Sequence, residues 1–127
     1  MNIKIATIST FVLMAILHFI AVTFYFYWTI WWFDIMMHVV GGFLAGLVFV
    51  GVLYRADFSR SVLIGSIFAG SVIIGTLWEI FEYKTGMTFV GSENYVVDTV
   101  SDLMSDVAGG LIAYLMIYFE TIRLNKK

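Results

Sequence analysis

The sequence predicts an all-α polytopic membrane protein, a bundle of four transmembrane helices. Of its 127 residues, 61% are hydrophobic and only 13% are charged, and the mean hydropathy is +0.96. A soluble domain usually has about 25% charged and about 45–50% apolar residues. The few charges also divide the chain into long apolar segments, each near the roughly 20 residues that cross a bilayer. The length suits one domain, residues 1–127.

The first two helices follow from the first two apolar segments. Residues 5–33 contain no charged side chain, and residues 35–54 are interrupted only by His38. We predict helices at about 5–27 and 35–54. We expect the first helix to be retained rather than cleaved as a signal peptide, because its apolar run is long and ends in bulky aromatic residues.

The other two helices are predicted at about 62–83 and 97–120. Residues 61–78 are uncharged, and residues 99–119 are apolar apart from Asp102, Asp106 and a few small polar residues. Small residues recur every four positions, for example Gly42 and Gly46. This spacing allows membrane helices to approach closely, and a tight bundle explains these glycines without a ligand.

Basic residues give the orientation. With four spans, six basic residues lie on one side of the membrane and only Lys84 lies on the other. The six are Lys4, Arg55, Arg60, Arg123, Lys126 and Lys127. The positive-inside rule therefore places both termini in the cytoplasm. We expect an integral protein of the plasma (inner) membrane of a prokaryote.

Composition also excludes several functions. Seven Lys and Arg residues against nine Asp and Glu residues leave no basic surface for nucleic acid. The absence of cysteine excludes disulfides, thiolate metal sites and cysteine nucleophiles. Membrane lipid is the expected partner. Four short helices bury little surface, so a homodimer is an open alternative.

Acidic residues concentrate on the predicted outer side, opposite the basic ones. Seven of the nine lie there: Asp34, Glu79, Glu82, Glu93, Asp98, Asp102 and Asp106. His38 follows Asp34 by one helical turn. Spacings of three and four residues place such side chains on one helix face. Because polar residues avoid lipid, these faces should point into the bundle.

Each of these residues has an ordinary structural alternative. Four of them suit a helix cap, a satisfied bundle histidine or an interfacial charge: Asp34, His38, Glu82 and Asp98. Three lie deeper and favour a functional role: Glu79, Asp102 and Asp106. Among the other polar residues, His18 is expected to pack or form a hydrogen bond, and Glu93 to be solvated in a loop.

The acidic group needs positive charge or protons. Buried carboxylates close together cannot all ionise unaided, and Lys84 is the only nearby basic residue. Carboxylates with one imidazole suit Mg²⁺, Mn²⁺ or Ca²⁺, and Zn²⁺ or Fe²⁺ if His38 ligates. We therefore expect a divalent metal ion as cofactor. Its candidate ligands are Asp34, His38, Glu79, Glu82, Asp98, Asp102 and Asp106.

The same residues carry a family resemblance over about residues 33–115. The segments are Asp34-x3-His38, Trp78-Glu79-Ile80-Phe81-Glu82 and Asp98-Thr99-x-Ser101-Asp102-x3-Asp106-x2-Gly109. They resemble motifs of the VanZ-like and YjdF-like small integral membrane proteins. Glu82 stands where the VanZ-like pattern tends to have Gln and Asp106 where it tends to have Asn, which favours the YjdF-like branch. The resemblance implies a multi-spanning protein with a polar intramembrane site and no settled reaction.

Three functions are compatible with this pattern. The first is metal-dependent action on a lipid or lipid-linked phosphate near the outer leaflet, with His38 or Glu79 as the catalytic acid or base. The second is a cation or proton-coupled transporter. The third is a membrane protein that binds a cation or headgroup without turnover. The residues leave the choice between enzyme and transporter open.

Overall fold

Four long helices and one short helix make up the structure, a computed structural model that describes residues 2–53, 59–88 and 94–125. These ranges contain no strand. The helices are α1 (Ile3–Thr23), α2 (Phe26–Thr29), α3 (Phe33–Leu53), α4 (Arg60–Thr85) and α5 (Tyr95–Asn125). The four long helices are long and apolar enough to cross a membrane. The predicted four-helix membrane bundle is therefore confirmed.

The first helix is shorter than predicted. It ends at Thr23 rather than near residue 27, and the separate helix α2 follows. Tyr25 has a φ of 61°, in the left-handed region. A side chain is disfavoured there, and a right-handed helix cannot continue through that conformation. Hydropathy could not indicate this break, because the apolar run continues across it.

Helix α3 begins earlier than predicted, and α4 and α5 extend beyond both of their predicted ends. For α4, local hydrogen bonds explain where the helix begins and ends. At the start of α4, the Ser59 side chain accepts from the Val62 N–H. At its end, Gly86 has a φ of 75° and its N–H reaches the carbonyl oxygens of Glu82 and Tyr83, as in a glycine cap. Four residues used in the sequence argument lie outside the described ranges: Arg55, Glu93, Lys126 and Lys127.

Helices α3 and α5 form the most extensive contact in the bundle. A Cβ at Gly42 would overlap the backbone carbonyl of Asp106, and a Cβ at Gly109 would overlap that of Val39. Such glycines let two helix backbones meet directly. The close packing expected from the small-residue spacing is confirmed between α3 and α5, whereas a Cβ at Gly65 of α4 would meet nothing within 4 Å.

The bundle has two halves along its length. The apolar half contains a buried cluster of Leu47, Val50, Leu63, Ile67, Ala113 and Ile117. The site half lies at the other end of α3, α4 and α5, and its buried polar residues are His38, Glu79, Glu82, Asp102 and Asp106. Helix α1 packs at the periphery against α3. Exposed large apolar side chains cover the outside of the helices, as a lipid-facing surface requires.

Candidate metal centre

His38 is the central side chain of the site half. It lies on α3 one turn after Asp34, and only 3% of its surface is exposed. Its Nδ1 lies 3.0 Å from Asp106 Oδ2 on α5. An ionised carboxylate can only accept, so Nδ1 carries the hydrogen and donates it. In a neutral imidazole the lone pair then lies on Nε2, which is the nitrogen available to a ligand.

Two unpartnered carboxylate oxygens lie beside this free nitrogen. His38 Nε2 lies 3.8 Å from Asp34 Oδ1 and 3.8 Å from Glu79 Oε1. All three atoms are buried, and none has a hydrogen-bond partner in the described part of the chain. Because buried polar atoms nearly always have a partner, this convergence indicates a place for a bound group.

Two overlapping sets of side chains have the spacing of metal ligands. Asp34, His38 and Asp102 form one set, and His38, Glu79 and Glu82 form the other. Within each set, one ligand atom per residue lies within 4.8 Å of the others. The site thus joins α3 to α5 through the first set and α3 to α4 through the second.

Neighbouring side chains hold the two glutamates in place. Thr99 Oγ1 donates to Glu79 Oε2 at 2.9 Å, across from α5 to α4. Trp78 Nε1 donates to Glu82 Oε1 at 2.9 Å within α4. Each glutamate therefore has one oxygen fixed by a donor. For Glu79, the other oxygen is the unpartnered Oε1.

Small residues make room for the acids of α5. Asp102 and Asp106 are 2% and 3% exposed. A Cβ at Gly75 of α4 would overlap Asp106 Oδ2, the oxygen that accepts from His38. The absence of a side chain at Gly75 thus allows the Asp106 carboxylate to reach the imidazole.

The structure does not bring Asp98 into the buried group. Asp98 is exposed in the first turn of α5 and belongs to neither ligand set. Lys84 is also exposed, with its Nζ 6.0 Å from the Tyr83 ring centre. Among the basic residues whose side chains the structure describes, Lys4, Arg60 and Lys84, none forms an ion pair with the buried carboxylates. The buried acids therefore have only His38 as a basic partner there.

His18 has the hydrogen-bonding role that the sequence predicts. Its Nδ1 lies 2.8 Å from the Tyr27 hydroxyl, and its ring meets Trp78 edge to face at 5.2 Å. Tyr27 belongs to α2, outside the membrane-spanning helices. Burial raises the pKa of its phenol, and the charges of Asp34 and Glu82 raise it further. The phenol therefore keeps its proton at neutral pH.

Trp78 and Thr99 lie in the motif segments of the sequence, but no role in the site was predicted for them. Trp78 could have been found, because it precedes Glu82 by four residues and so shares its helix face. Thr99 contacts Glu79 from another helix, and no local spacing indicates such a contact. Ser71 is fully buried on α4 with no partner for its Oγ within the described ranges, and nothing in the sequence distinguishes it.

Comparison with known proteins identifies a family. Residues 1–123 match the family DUF2238, which is described as a predicted membrane protein, and the chain belongs to it. This description agrees with the four membrane-crossing helices. No curated protein and no solved structure matches the chain.

Proposed function

We propose that this member of the DUF2238 family binds a divalent cation through His38 Nε2 and the carboxylates of Asp34 and Asp102. The convergence of buried, unpartnered atoms carries the proposal: His38 Nε2, Asp34 Oδ1 and Glu79 Oε1 lie together with no hydrogen bond to one another. A cation between His38 Nε2 and Asp34 Oδ1 satisfies these two atoms and leaves Glu79 Oε1 unpartnered beside it.

The arrangement around His38 supports a ligand role. In metal sites, the histidine nitrogen that does not bind the ion usually donates to a carboxylate or carbonyl, which orients the ring. Asp106 stands in that relation to His38 Nδ1. Asp106 is therefore assigned an orienting role, although its sequence position equally suggested a ligand.

Charge also favours a cation. Neither Lys4, Arg60 nor Lys84 pairs with the group around His38, which has five carboxylates, four of them buried and one, Asp34, half-buried. The five are Asp34, Glu79, Glu82, Asp102 and Asp106. Oxygen ligands suit Mg²⁺, Mn²⁺ and Ca²⁺, whereas the imidazole suits Zn²⁺ and Fe²⁺. Mn²⁺ accepts both ligand types and is the first ion to test.

Thermal unfolding tests the cation site. The purified chain in lipid nanodiscs is stripped with EDTA and then unfolded with and without millimolar Mn²⁺, Mg²⁺, Ca²⁺ or Zn²⁺. An ion that binds only the folded state at 100 times its Kd adds about 2.7 kcal/mol of stability. We expect a rise in Tm with at least one of these ions and a smaller rise in the Asp102→Asn variant.

The matched control is Glu120→Gln, which removes one acid near the other end of α5. Asp102 and Glu120 are 18 residues apart in the sequence, so about 27 Å separates them along the helix. Glu120→Gln should keep the metal-dependent rise in Tm. An unchanged Tm of the wild type with all four ions overturns the proposal.

For the bound cation we propose action on a lipid or lipid-linked phosphate near the outer leaflet. A phosphate site normally uses Arg or Lys, and here the cation supplies the positive charge in their place. With His38 as a ligand, Glu79 is the candidate acid or base. When the protein is incubated with lipid phosphates and Mn²⁺ or Mg²⁺, at least one of these lipids should be converted, and Glu79→Gln should abolish the conversion. A screen without conversion rejects the reaction and leaves cation binding in place.

Transport is less favoured by the packing. Below the site, Ser71 is buried, but the rest of the packing is an apolar cluster that includes Leu47, Ile67 and Ala113, whereas an ion path usually has several polar groups along it. A liposome flux assay that compares wild type with Asp102→Asn separates the two functions. Equal flux rejects transport, and a flux lost only in the variant would replace the lipid-phosphate proposal.

Membrane context completes the proposal. We assign the chain to the plasma membrane of a prokaryote with both termini in the cytoplasm, which places the site half in the outer leaflet. The motif resemblance supports a place near the VanZ-like and YjdF-like proteins. Membrane lipid is the proposed partner. A homodimer remains a prediction, which the mass of the nanodisc-embedded assembly tests.

A further inference from the structure

We propose that the site half holds a second divalent cation, bound by Glu79 and Glu82 of α4. This inference rests on the proposed function, in which the first ion takes Asp34, His38 and Asp102. The second ion would lie at the two glutamates of the other ligand set, which consists of His38 of α3 with Glu79 and Glu82 of α4. The centre would then contain two ions rather than one, and Glu79 would be a ligand of the second ion instead of the acid or base.

The two ligand sets overlap at a single residue. They share His38 and no carboxylate, and one imidazole nitrogen binds one ion. When Nε2 is used by the first ion, Glu79 and Glu82 still lie buried beside it, 7% and 4% exposed. Glu79 Oε1 is aimed at this space, 3.8 Å from Nε2, and has no hydrogen-bond partner in the described ranges. A cation between the two glutamates satisfies it.

Both glutamates are oriented as ligating carboxylates are. Donors in the surrounding shell normally hold one oxygen of such a carboxylate while the other faces the metal. Thr99 Oγ1 holds Glu79 Oε2, and Trp78 Nε1 holds Glu82 Oε1. Trp78 and Thr99 thus have a role that a purely structural acidic cluster does not require.

Charge balance distinguishes one ion from two. With all five carboxylates ionised and His38 neutral, one divalent ion leaves three negative charges in the buried group. Two divalent ions leave one negative charge, which the Asp106 carboxylate carries while it accepts from His38. A nearly neutral group is far less costly to bury among membrane helices.

The second site should be the weaker one. It has two protein carboxylates and no imidazole of its own, so water or a substrate oxygen completes the coordination. Mg²⁺ and Mn²⁺ commonly bind in this way, through one or two carboxylates and exchangeable oxygen ligands. Paired ions in such centres lie about 3.5–4 Å apart.

Counting bound Mn²⁺ tests the second site. The wild type in nanodiscs is titrated with Mn²⁺, and bound ions per chain are determined from the loss of the free-ion electron paramagnetic resonance signal. We expect two ions in two steps of different affinity. Glu82→Gln should bind one ion with the higher affinity retained, whereas the control Glu120→Gln should bind two.

A second variant covers the case in which Glu82→Gln does not fold. Trp78→Phe keeps the carboxylate and removes only the donor to Glu82 Oε1. Loss of such an orienting partner typically weakens metal affinity about 10–100-fold, so only the weaker step should shift. One ion in the saturated wild type, two in Glu82→Gln, or an unshifted weaker step in Trp78→Phe overturns the second site. Binding of no ion at all instead overturns the proposed function.

Discussion

The two halves of the bundle are joined by the same helix contacts and filled with opposite chemistry. In both, glycines let α3 and α5 meet closely, at Gly42 in the site half and at Gly46 towards the apolar half. The apolar half is then filled by side chains such as Leu47 and Ile67. The site half contains the carboxylates around His38 beside a small apolar cluster of Ala21, Phe33 and Met37.

This difference distinguishes the residues that stabilise the fold from those that form the candidate site. An apolar cluster needs no bound ion, because its side chains carry no charge. A buried group with unpartnered Asp34 Oδ1, His38 Nε2 and Glu79 Oε1 is costly to maintain by itself. Ionisable residues inside membrane helices usually mark a functional site for this reason.

The largest loss of stability should come from a substitution in the contact between α3 and α5, which runs through both halves. Gly42→Ala drives a methyl group into the backbone carbonyl of Asp106, and neither helix backbone can yield locally. We expect a loss of about 3 kcal/mol in the free energy of unfolding, at the upper end for overpacking. Reversible unfolding in detergent measures it.

The matched control for that substitution is Gly65→Ala on α4. A Cβ at Gly65 meets nothing within 4 Å, so the gain in helix propensity, about 0.5–1 kcal/mol, should dominate. Equal stabilities of the two variants would mean that α3 and α5 do not meet through Gly42.

A smaller effect, confined to the site half, is expected from Asp106→Asn. The amide retains the shape but not the charge that accepts from His38 Nδ1. Mn²⁺ affinity should fall about 10–100-fold, which corresponds to about 1.4–2.7 kcal/mol. Mn²⁺ titration measures it. An unchanged Mn²⁺ affinity in the variant would show that Asp106 does not orient His38 for binding.

In the apolar half, Leu47→Ala should lower the stability of the protein without changing its response to metal. Lipid chains solvate apolar side chains as well as a protein core does, so packing and the cavity alone contribute. We expect the metal-free protein to lose about 1–2 kcal/mol, while the rise in Tm with Mn²⁺ stays the same. A lost metal response would show that the two halves are not independent.

The smallest effect is expected from Asp98→Asn. Asp98 lies one turn before Asp102 on the same helix, but it is exposed and outside both ligand sets. Its replacement should change unfolding free energy by less than about 0.5 kcal/mol and leave Mn²⁺ affinity unaltered. A loss of affinity equal to that of Asp102→Asn would extend the site to the membrane interface.

The helices and the convergence of acids could be predicted from the sequence, because both depend on local patterns. A low charge content defines the spans, and spacings such as Asp34 to His38 place side chains on one face. The break at Tyr25 could not be predicted, because it is a backbone conformation inside an uninterrupted apolar run.

The division of roles within the site also required the structure. In the sequence, Asp98, Asp102 and Asp106 are successive steps of four residues, and depth alone separates Asp98 from the other two. In the bundle one is exposed, one joins a ligand set and one accepts from His38. These roles depend on the depth and rotation of α5 against α3, which arise from contacts between distant residues such as Gly109 and Val39.

An anomalous difference map tests the central claim most directly. Crystals of the chain grown with Mn²⁺ would be measured near the manganese absorption edge. A bound Mn²⁺ should give an anomalous peak about 2.2 Å from His38 Nε2 and from oxygens of Asp34 and Asp102. The absence of an anomalous peak there, with water molecules hydrogen-bonded to Asp34 Oδ1 and His38 Nε2 instead, would contradict the proposed cation site.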